Sequence, residues 1–435
     1  MREVRDKVRQ FLKDSGMWYE DIDMDEFCDI FRGQMQAGLA GQSSSLAMIP
    51  TYIEVGKEIP SDKRVIVLDA GGTNFRVAAV HFDQPGKPVI DNFVQKPMPG
   101  LENEVGKEEF FDTIVEYMTG VVDAGESIGF CFSYPTEILP NKDGKLIRFC
   151  KEVKAQGVEG ELIGQNLVAA IKKAGYKGDK RVTILNDTVA TLLAGMSASG
   201  QRTFDSYIGF ILGTGSNCCY IESNCKITKT PNLDPGGEQI VNVESGSFGK
   251  APRGAIDFIL DESTLDPGKY TFEKMFSGGY FGSLCLKVLQ QASRQGFLSG
   301  IVGERLAAAS DLETKDVNSL LRFPQGDNPL AVMSAGAAQD HAAVWYLLDG
   351  LIERAARVVA AMLSSVVLET DKGHDPCEPV CITAEGTTFY ELKSLRERIE
   401  SYMRCFLQGR HDRFVEFVHV ENATLIGAAI AGLTN

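Results

Sequence analysis

Val65-Ile66-Val67-Leu68-Asp69-Ala70-Gly71-Gly72-Thr73-Asn74-Phe75-Arg76-Val77-Ala78-Ala79-Val80 reads as two β-rich runs joined by a glycine turn. The same design returns in Tyr207-Ile208-Gly209-Phe210-Ile211-Leu212-Gly213-Thr214-Gly215-Ser216-Asn217-Cys218-Cys219-Tyr220-Ile221. Gly72-Thr73-Asn74 aligns with Gly215-Ser216-Asn217. Such a turn exposes backbone N–H groups and hydroxyls, the donors that a phosphate needs. Two copies predict two half-sites gripping a polyphosphate from opposite sides. Only the first copy carries a carboxylate: Asp69 aligns with Leu212, an asymmetry that suits a metal approached from one side. A glycine turn between apolar runs is also what a plain β-hairpin looks like. The duplication, rather than either turn alone, carries the reading. No G-x-x-x-x-G-K-[ST] run occurs, and a second strand rather than a helix follows the glycines. Neither a Walker loop nor a dinucleotide fingerprint therefore fits.

Composition bounds the rest. The chain has 435 residues, 44% of them hydrophobic, enough for two or three domains with a large core. Its net charge of −15, from 44 basic and 59 acidic residues, argues against a nucleic-acid partner. An acidic chain that binds ATP must rely on backbone amides, a metal and a few local basic groups. Ten cysteines occur without a C-x-x-C pair, several inside apolar runs, which predicts free thiols in a reducing compartment. Cys377, Cys381 and His374 imitate a metal site, but their spacing departs from a zinc knuckle. The N-terminus lacks an apolar signal core. The strongest apolar stretch, 342–368, is interrupted by Asp349, Glu353, Arg354 and Arg357, so it reads as a buried helix rather than a membrane span. The expectation is a soluble, cytoplasmic protein with no membrane partner. Oligomeric state is left open.

Along the chain, helical patterning at the start gives way to strands from 65 to 95. A helix is expected over 107–122, a buried strand over 128–133 stopped by Pro135, and a helix over 161–174. A strand over 182–185 leads into a helix from Asn186-Asp187-Thr188 to Ala194. The second hairpin follows, then mainly helix from 251 to 375, a late strand at 380–383 and a small-residue helix over 423–432. A strand meander followed by alternating helix and strand, given twice, predicts a duplicated α/β architecture with a cleft between two lobes. In outline it is the actin-like ATPase (ribonuclease H-like) arrangement. The expected small lobe is 62–185 plus about 423–435, and the large lobe 1–61 plus 186–422.

Asn186-Asp187-Thr188 sits where a strand meets a helix. Helix capping explains all three residue types. A carboxylate at a strand end facing the cleft also makes Asp187 a candidate general base, and both roles can hold together. A sugar would need carboxylates, which accept from adjacent hydroxyls, and amides, which donate and accept. Asn217, Glu244 and Glu273 are candidates beside short β-like segments.

These residues resemble the eukaryotic-type hexokinase family over nearly the whole chain. The resemblance rests on Leu68 to Arg76, Phe132-Ser133-Tyr134-Pro135, Asn186-Asp187-Thr188, Gly213 to Asn217, Asn242 to Phe248, and Asp266-Pro267-Gly268 through Glu273-Lys274, in matching order and spacing. By position it implies that Asp69, Gly71, Gly72, Thr73, Asn74 and Arg76 form the first phosphate loop, with Asp69 holding Mg²⁺ through water. Gly213, Thr214 and Gly215 would hold phosphates from the second loop, with Gly386 and Thr387 in the adenosine region. Ser133, Cys150, Lys151, Asn186, Asp187, Asn217, Glu244 and Glu273 would line the sugar pocket, with Asp187 taking the proton from the sugar hydroxyl. The implied activity is transfer of phosphate from ATP to a hexose, glucose first. Cys150 stands where the family has a hydroxyl residue and Ser245 where an aromatic follows the pocket glutamate, and the glycine-rich start of the last helix is reduced to Glu421-Asn422-Ala423-Thr424. Bulky substitution at Gly72 or Gly215 is expected to weaken nucleotide binding and to change sugar binding less. A sugar sensor with weak catalysis and an ATPase that binds a protein partner are the other readings.

Overall fold

The strand Val65–Gly71 is buried through Ala70, as expected of a continuous apolar run covered on both faces. The computed structural model describes residues 1–84, 86–149, 153–200, 202–336 and 338–435. Val65–Gly71 pairs antiparallel with Asn74–Gln84, which pairs with Lys87–Pro97. On its other side it runs parallel to Ser127–Phe132, and that strand parallel to Arg181–Leu185. Ile66, Leu68 and Ala70 point into one core with the helices Lys107–Tyr117 and Ile163–Lys173. Val65 and Val67 point into another with the C-terminal helix Ala423–Thr434. Strand parity therefore puts Asp69 on the face that carries the C-terminal helix.

The second sheet repeats the plan. Ser206–Leu212 pairs antiparallel with Ser216–Ser223 and parallel with Val380–Glu385, which runs parallel to Val415–Val418. Glu238–Asn242 and Ile49–Glu54 extend the hairpin side. Ile208, Phe210 and Leu212 pack into the large helical core that contains the helix Ala338–Thr370. The charges that interrupt that helix are all paired. Arg354 holds Asp257 through two bonds of 3.0 and 2.5 Å, and Arg398 holds Asp349 at 2.6 Å and Glu353 at 3.0 Å. Arg357 donates to the Ile22 carbonyl at 3.0 Å. Among the described residues no helix is long and apolar enough to cross a membrane.

Two helices cross between the sheets. Asp187–Ala198 follows the last parallel strand of the first sheet, and Ala423–Thr434 follows that of the second. Small residues let them touch backbone to backbone. A Cβ on Gly427 would lie 1.8 Å from the Ala190 carbonyl oxygen, and the C-terminal helix meets the strand Ser127–Phe132 as closely, a Cβ on Gly129 lying 1.8 Å from the Ala428 carbonyl oxygen. The N-terminus of each helix thus emerges at the carboxyl ends of parallel strands, where open α/β sheets bind ligands. This is the duplicated two-lobe arrangement of the actin-like ATPases.

Several boundaries differ from expectation. The helix over 107–122 ends at Tyr117 and continues as turns. The helix from Asp187 runs on to Ala198, and the long helix spans Ala338–Thr370. The strands Ile49–Glu54, Glu238–Asn242 and Val415–Val418 were not anticipated. Val415–Val418 is a four-residue half-buried edge strand, too short for its alternation to stand out.

Candidate active site

The first hairpin turns on Gly72 and Thr73 between paired Gly71 and Asn74. Gly72 has φ 64°, the left-handed value that a two-residue hairpin turn demands. Tyr134 Oη donates to the Gly72 carbonyl at 3.1 Å, and Gln95 Nε2 donates to Asn74 Oδ1 at 3.2 Å. Asp69 is buried, with Arg76 directly across the strand pair. Arg76 Nη1 lies 3.4 Å from Asp69 Oδ2, and Thr424 Oγ1 donates to the same oxygen at 2.8 Å. Burial raises the Asp69 pKa; the Arg76 charge and the Thr424 hydroxyl pull it down, and the nearby Asp187 charge pushes it up.

The second turn is braced from behind. The Gly213 N–H closes it onto the Gly215 carbonyl at 2.9 Å. The Gly213 carbonyl accepts from Gly278 N–H and Thr388 Oγ1, each at 2.8 Å, and the Thr214 carbonyl accepts from Gly279 N–H at 2.9 Å. These bonds occupy the carbonyl side of the turn. Gly386, at φ 115°, comes so close that a Cβ there would lie 2.3 Å from the Leu212 carbonyl oxygen. Thr214, Gly278, Thr314, Lys315, Asn318, Thr387, Thr388 and Glu391 line a pocket of about 230 Å³ beside it.

The polyol candidates converge as a network. Asn186 caps its helix, its Oδ1 accepting from Thr188 N at 3.0 Å and Thr188 Oγ1 at 2.7 Å. Asp187 occupies the first helical position, with Oδ1 accepting from Thr188 N at 2.8 Å. Its charge helps to raise the pKa values of Asp69 and Glu244. Glu244 sits at φ 58° and its Oε1 accepts from Asn242 Nδ2 at 2.8 Å and Asn217 Nδ2 at 3.2 Å. Burial is the main cause that lifts its pKa. Glu273 Oε2 accepts from Ser216 N–H at 2.8 Å, so this carboxylate is fastened to the second hairpin itself. Ser133 follows the strand beside Asp69, its N–H donating to the Ala70 carbonyl at 3.3 Å. Cys150 and Lys151 lie outside the described residues. Ser245 is buried, its N–H donating to Asn217 Oδ1 at 3.2 Å.

Some residues of this cluster were missed by the sequence reading. Asn242 ends the strand Glu238–Asn242 two residues before Glu244, a spacing legible in the sequence. Thr424 reaches Asp69 from 355 positions away and has no local signal. Thr314, Lys315, Asn318 and Thr388 join the second turn only through folding. Size does not identify the site: a cavity of about 820 Å³, lined by Trp345, Tyr346 and His341 among others, does not reach these carboxylates.

Asp187, Glu244 and Glu273 thus gather beside two glycine-turn hairpins on a duplicated α/β fold. Hexokinase family profiles match residues 7–197 and 207–434. Human hexokinase HKDC1 is 32% identical over 92% of this chain and 45% of its own length. Hexokinase-1 of Spinacia oleracea is 29% identical over 97% of this chain and 93% of its own. Chloroplastic hexokinase-2 of Nicotiana tabacum is 30% identical over 94% and 86%. The chain belongs to the hexokinase family. It spans about half the length of the human relatives and most of that of the plant ones. In fold it is similar to the hexokinase from Schistosoma mansoni complexed with glucose, at a TM-score of 0.80, 24% identity and coverage of 100% of this chain and 99% of that one.

Proposed function

We propose that this chain transfers the terminal phosphate of ATP to a hexose hydroxyl, with glucose the first substrate to test. The observation that carries the reading is the convergence of Asp187, Glu244, Glu273, Asn186 and Asn217 beside both hairpin turns. Glu244 and Glu273 accept from vicinal sugar hydroxyls; Asn186, Asn217 and Ser133 complete the described part of the pocket, and the family resemblance assigns Cys150 and Lys151 to it as well. Asp187 orients the reacting hydroxyl and takes its proton late, because an ordinary carboxylate is a weak base toward an alcohol. Gly71 to Asn74 and Thr214 with Gly215 cradle the phosphates, Gly213 shapes the second turn, and Gly386 and Thr387 border the adenosine. Arg76 adds local positive charge.

Asp69 is suited to hold Mg²⁺ through water. Among the described residues no group of three or more His, Cys, Asp and Glu gathers to cage a metal. The single buried carboxylate of Asp69 beside the first turn suits a hard cation that keeps its waters and leans on substrate phosphates. Its bound charge would offset that of the transferring phosphoryl group. Lobe division at 62–185 plus 423–435 against 1–61 plus 186–422 puts the two hairpins on opposite lobes. Closure then excludes water and limits ATP hydrolysis. The free cysteines among the described residues suit a reducing compartment, and the cytoplasm is the one proposed.

A coupled ADP assay across a hexose panel tests the proposal. Sugar-stimulated ADP release is the expected result. Sugar binding without turnover would favour a sensor, and ATP turnover indifferent to sugar would favour an ATPase with a protein partner.

A further inference from the structure

We propose that Arg148 and Tyr270 form a bolt across the mouth of the cleft, a positioning pair that holds the lobes closed over the sugar; this rests on the sugar-kinase reading above. The two residues are 122 positions apart; Phe149, next to Arg148, packs on the core of the first sheet, and Phe272, two residues after Tyr270, lies in the core of the second. Arg148 Nη2 donates to Tyr270 Oη, and the guanidinium carbon stands 5.3 Å from the centre of the tyrosine ring. A hydrogen bond and a cation–π contact thus act in one pair.

Both platforms are firm. Beside Arg148, the Phe149 ring packs at 5.2 Å from Tyr134 and 5.7 Å from Phe110. The Phe149 N–H donates to Glu159 Oε1 at 2.8 Å. Opposite, Asp261 accepts from Gly268 N–H through both oxygens at 3.1 Å and from Lys274 Nζ at 2.7 Å. Lys274 N–H donates to the Tyr270 carbonyl at 3.1 Å. Tyr270 itself has φ 51°, an uncommon backbone state for an aromatic residue, which the anchored loop imposes. The bolt adjoins the sugar carboxylates. Tyr270 lies three residues before Glu273, and the Arg148 charge reaches Glu244 and steadies its ionised form.

A contact made across two lobes favours the closed state, and apparent sugar affinity scales with the fraction that can close. Arg148→Gln and Tyr270→Phe should each raise the KM for glucose about 10- to 20-fold, the low end of the range for a hydrogen bond to a charged group, as fits a half-buried site. At saturating glucose kcat should stay within about twofold, since excess sugar refills the closed state. The double variant should match Arg148→Gln alone, because that change removes both the hydrogen bond and the cation–π contact, whereas Tyr270→Phe removes the bond and keeps the ring. Arg148→Lys should recover part of the affinity, as an ammonium can still donate and face the ring but lacks the planar guanidinium. Single-variant effects that multiply, or a KM left unchanged, overturn the bolt. If the unmutated chain shows no sugar-dependent turnover, the sugar-kinase reading fails instead.

Discussion

Replacing Gly215 by alanine tests whether the nucleotide and sugar halves of the site share a wall. A Cβ at 215 would lie 2.8 Å from Glu273 Oε2, and one at 246 would lie 3.1 Å from the same oxygen. That oxygen accepts from Ser216 N–H at 2.8 Å. An ordinary contact with a methyl begins near 3.4 Å, so in Gly215→Ala the carboxylate must retreat by several tenths of an ångström. Gly246 closes the opposite flank and leaves little room. The retreat strips a hydrogen bond to a charged acceptor, worth about 1.5–3 kcal/mol. At 1.4 kcal/mol per decade, glucose affinity should fall about 10- to 150-fold, with no nucleotide present. The motif alone predicted loss of nucleotide binding with sugar binding little changed. Calorimetric titration with glucose alone, then with a non-hydrolysable ATP analogue, separates the two. Gly72→Ala is the control, because its turn carries no sugar carboxylate. If Gly215→Ala kept normal glucose affinity while losing the nucleotide, the shared wall would be refuted.

Asp187→Ala should lower turnover about 10²- to 10⁴-fold, the range for a positioned base. Thermal stability should hold, because Asn186 still caps the helix; near-normal turnover would remove Asp187 from its role. Arg76→Gln removes the charge that pulls the Asp69 pKa down, so the acid limb of the kcat profile should move to higher pH. Burial already makes the folded Asp69 carboxyl keep its proton to a higher pH than the unfolded one, and the variant widens that difference. Relative to the native chain the variant should therefore lose stability as pH rises through that window, and a shift in the opposite direction would contradict the assignment. Arg354→Met leaves the buried Asp257 carboxylate without its cation and should cost about 3–5 kcal/mol in denaturant unfolding. A loss below about 1 kcal/mol, the scale of an exposed pair, would show the pair to be solvated.

Much of this architecture was legible locally. The two hairpins announce themselves because alternation and glycine turns are nearest-neighbour patterns, and their observed register keeps Gly71 opposite Asn74 and Leu212 opposite Ser216. The long helix was legible because its period survives four interrupting charges. The strand Val415–Val418 was not, because four half-buried residues on an edge carry too little pattern.

The sequence by itself determined the chemistry available: the residue types, their order and the duplication of the turn. Family membership followed from those motifs. Only the tertiary structure decided which groups meet. Asp69 finds Thr424 because strand parity turns it toward a helix that arrives from the far end of the chain. Glu273 is fastened to the second hairpin through Ser216, so a residue read as sugar-binding also supports the nucleotide turn. Arg148 and Tyr270 meet from 122 positions apart although neither lies in a turn motif. The physical reason is common to all three. Periodicity and capping are set within a turn or two of backbone, whereas these contacts depend on how two sheets and two crossing helices bring distant segments within hydrogen-bond reach.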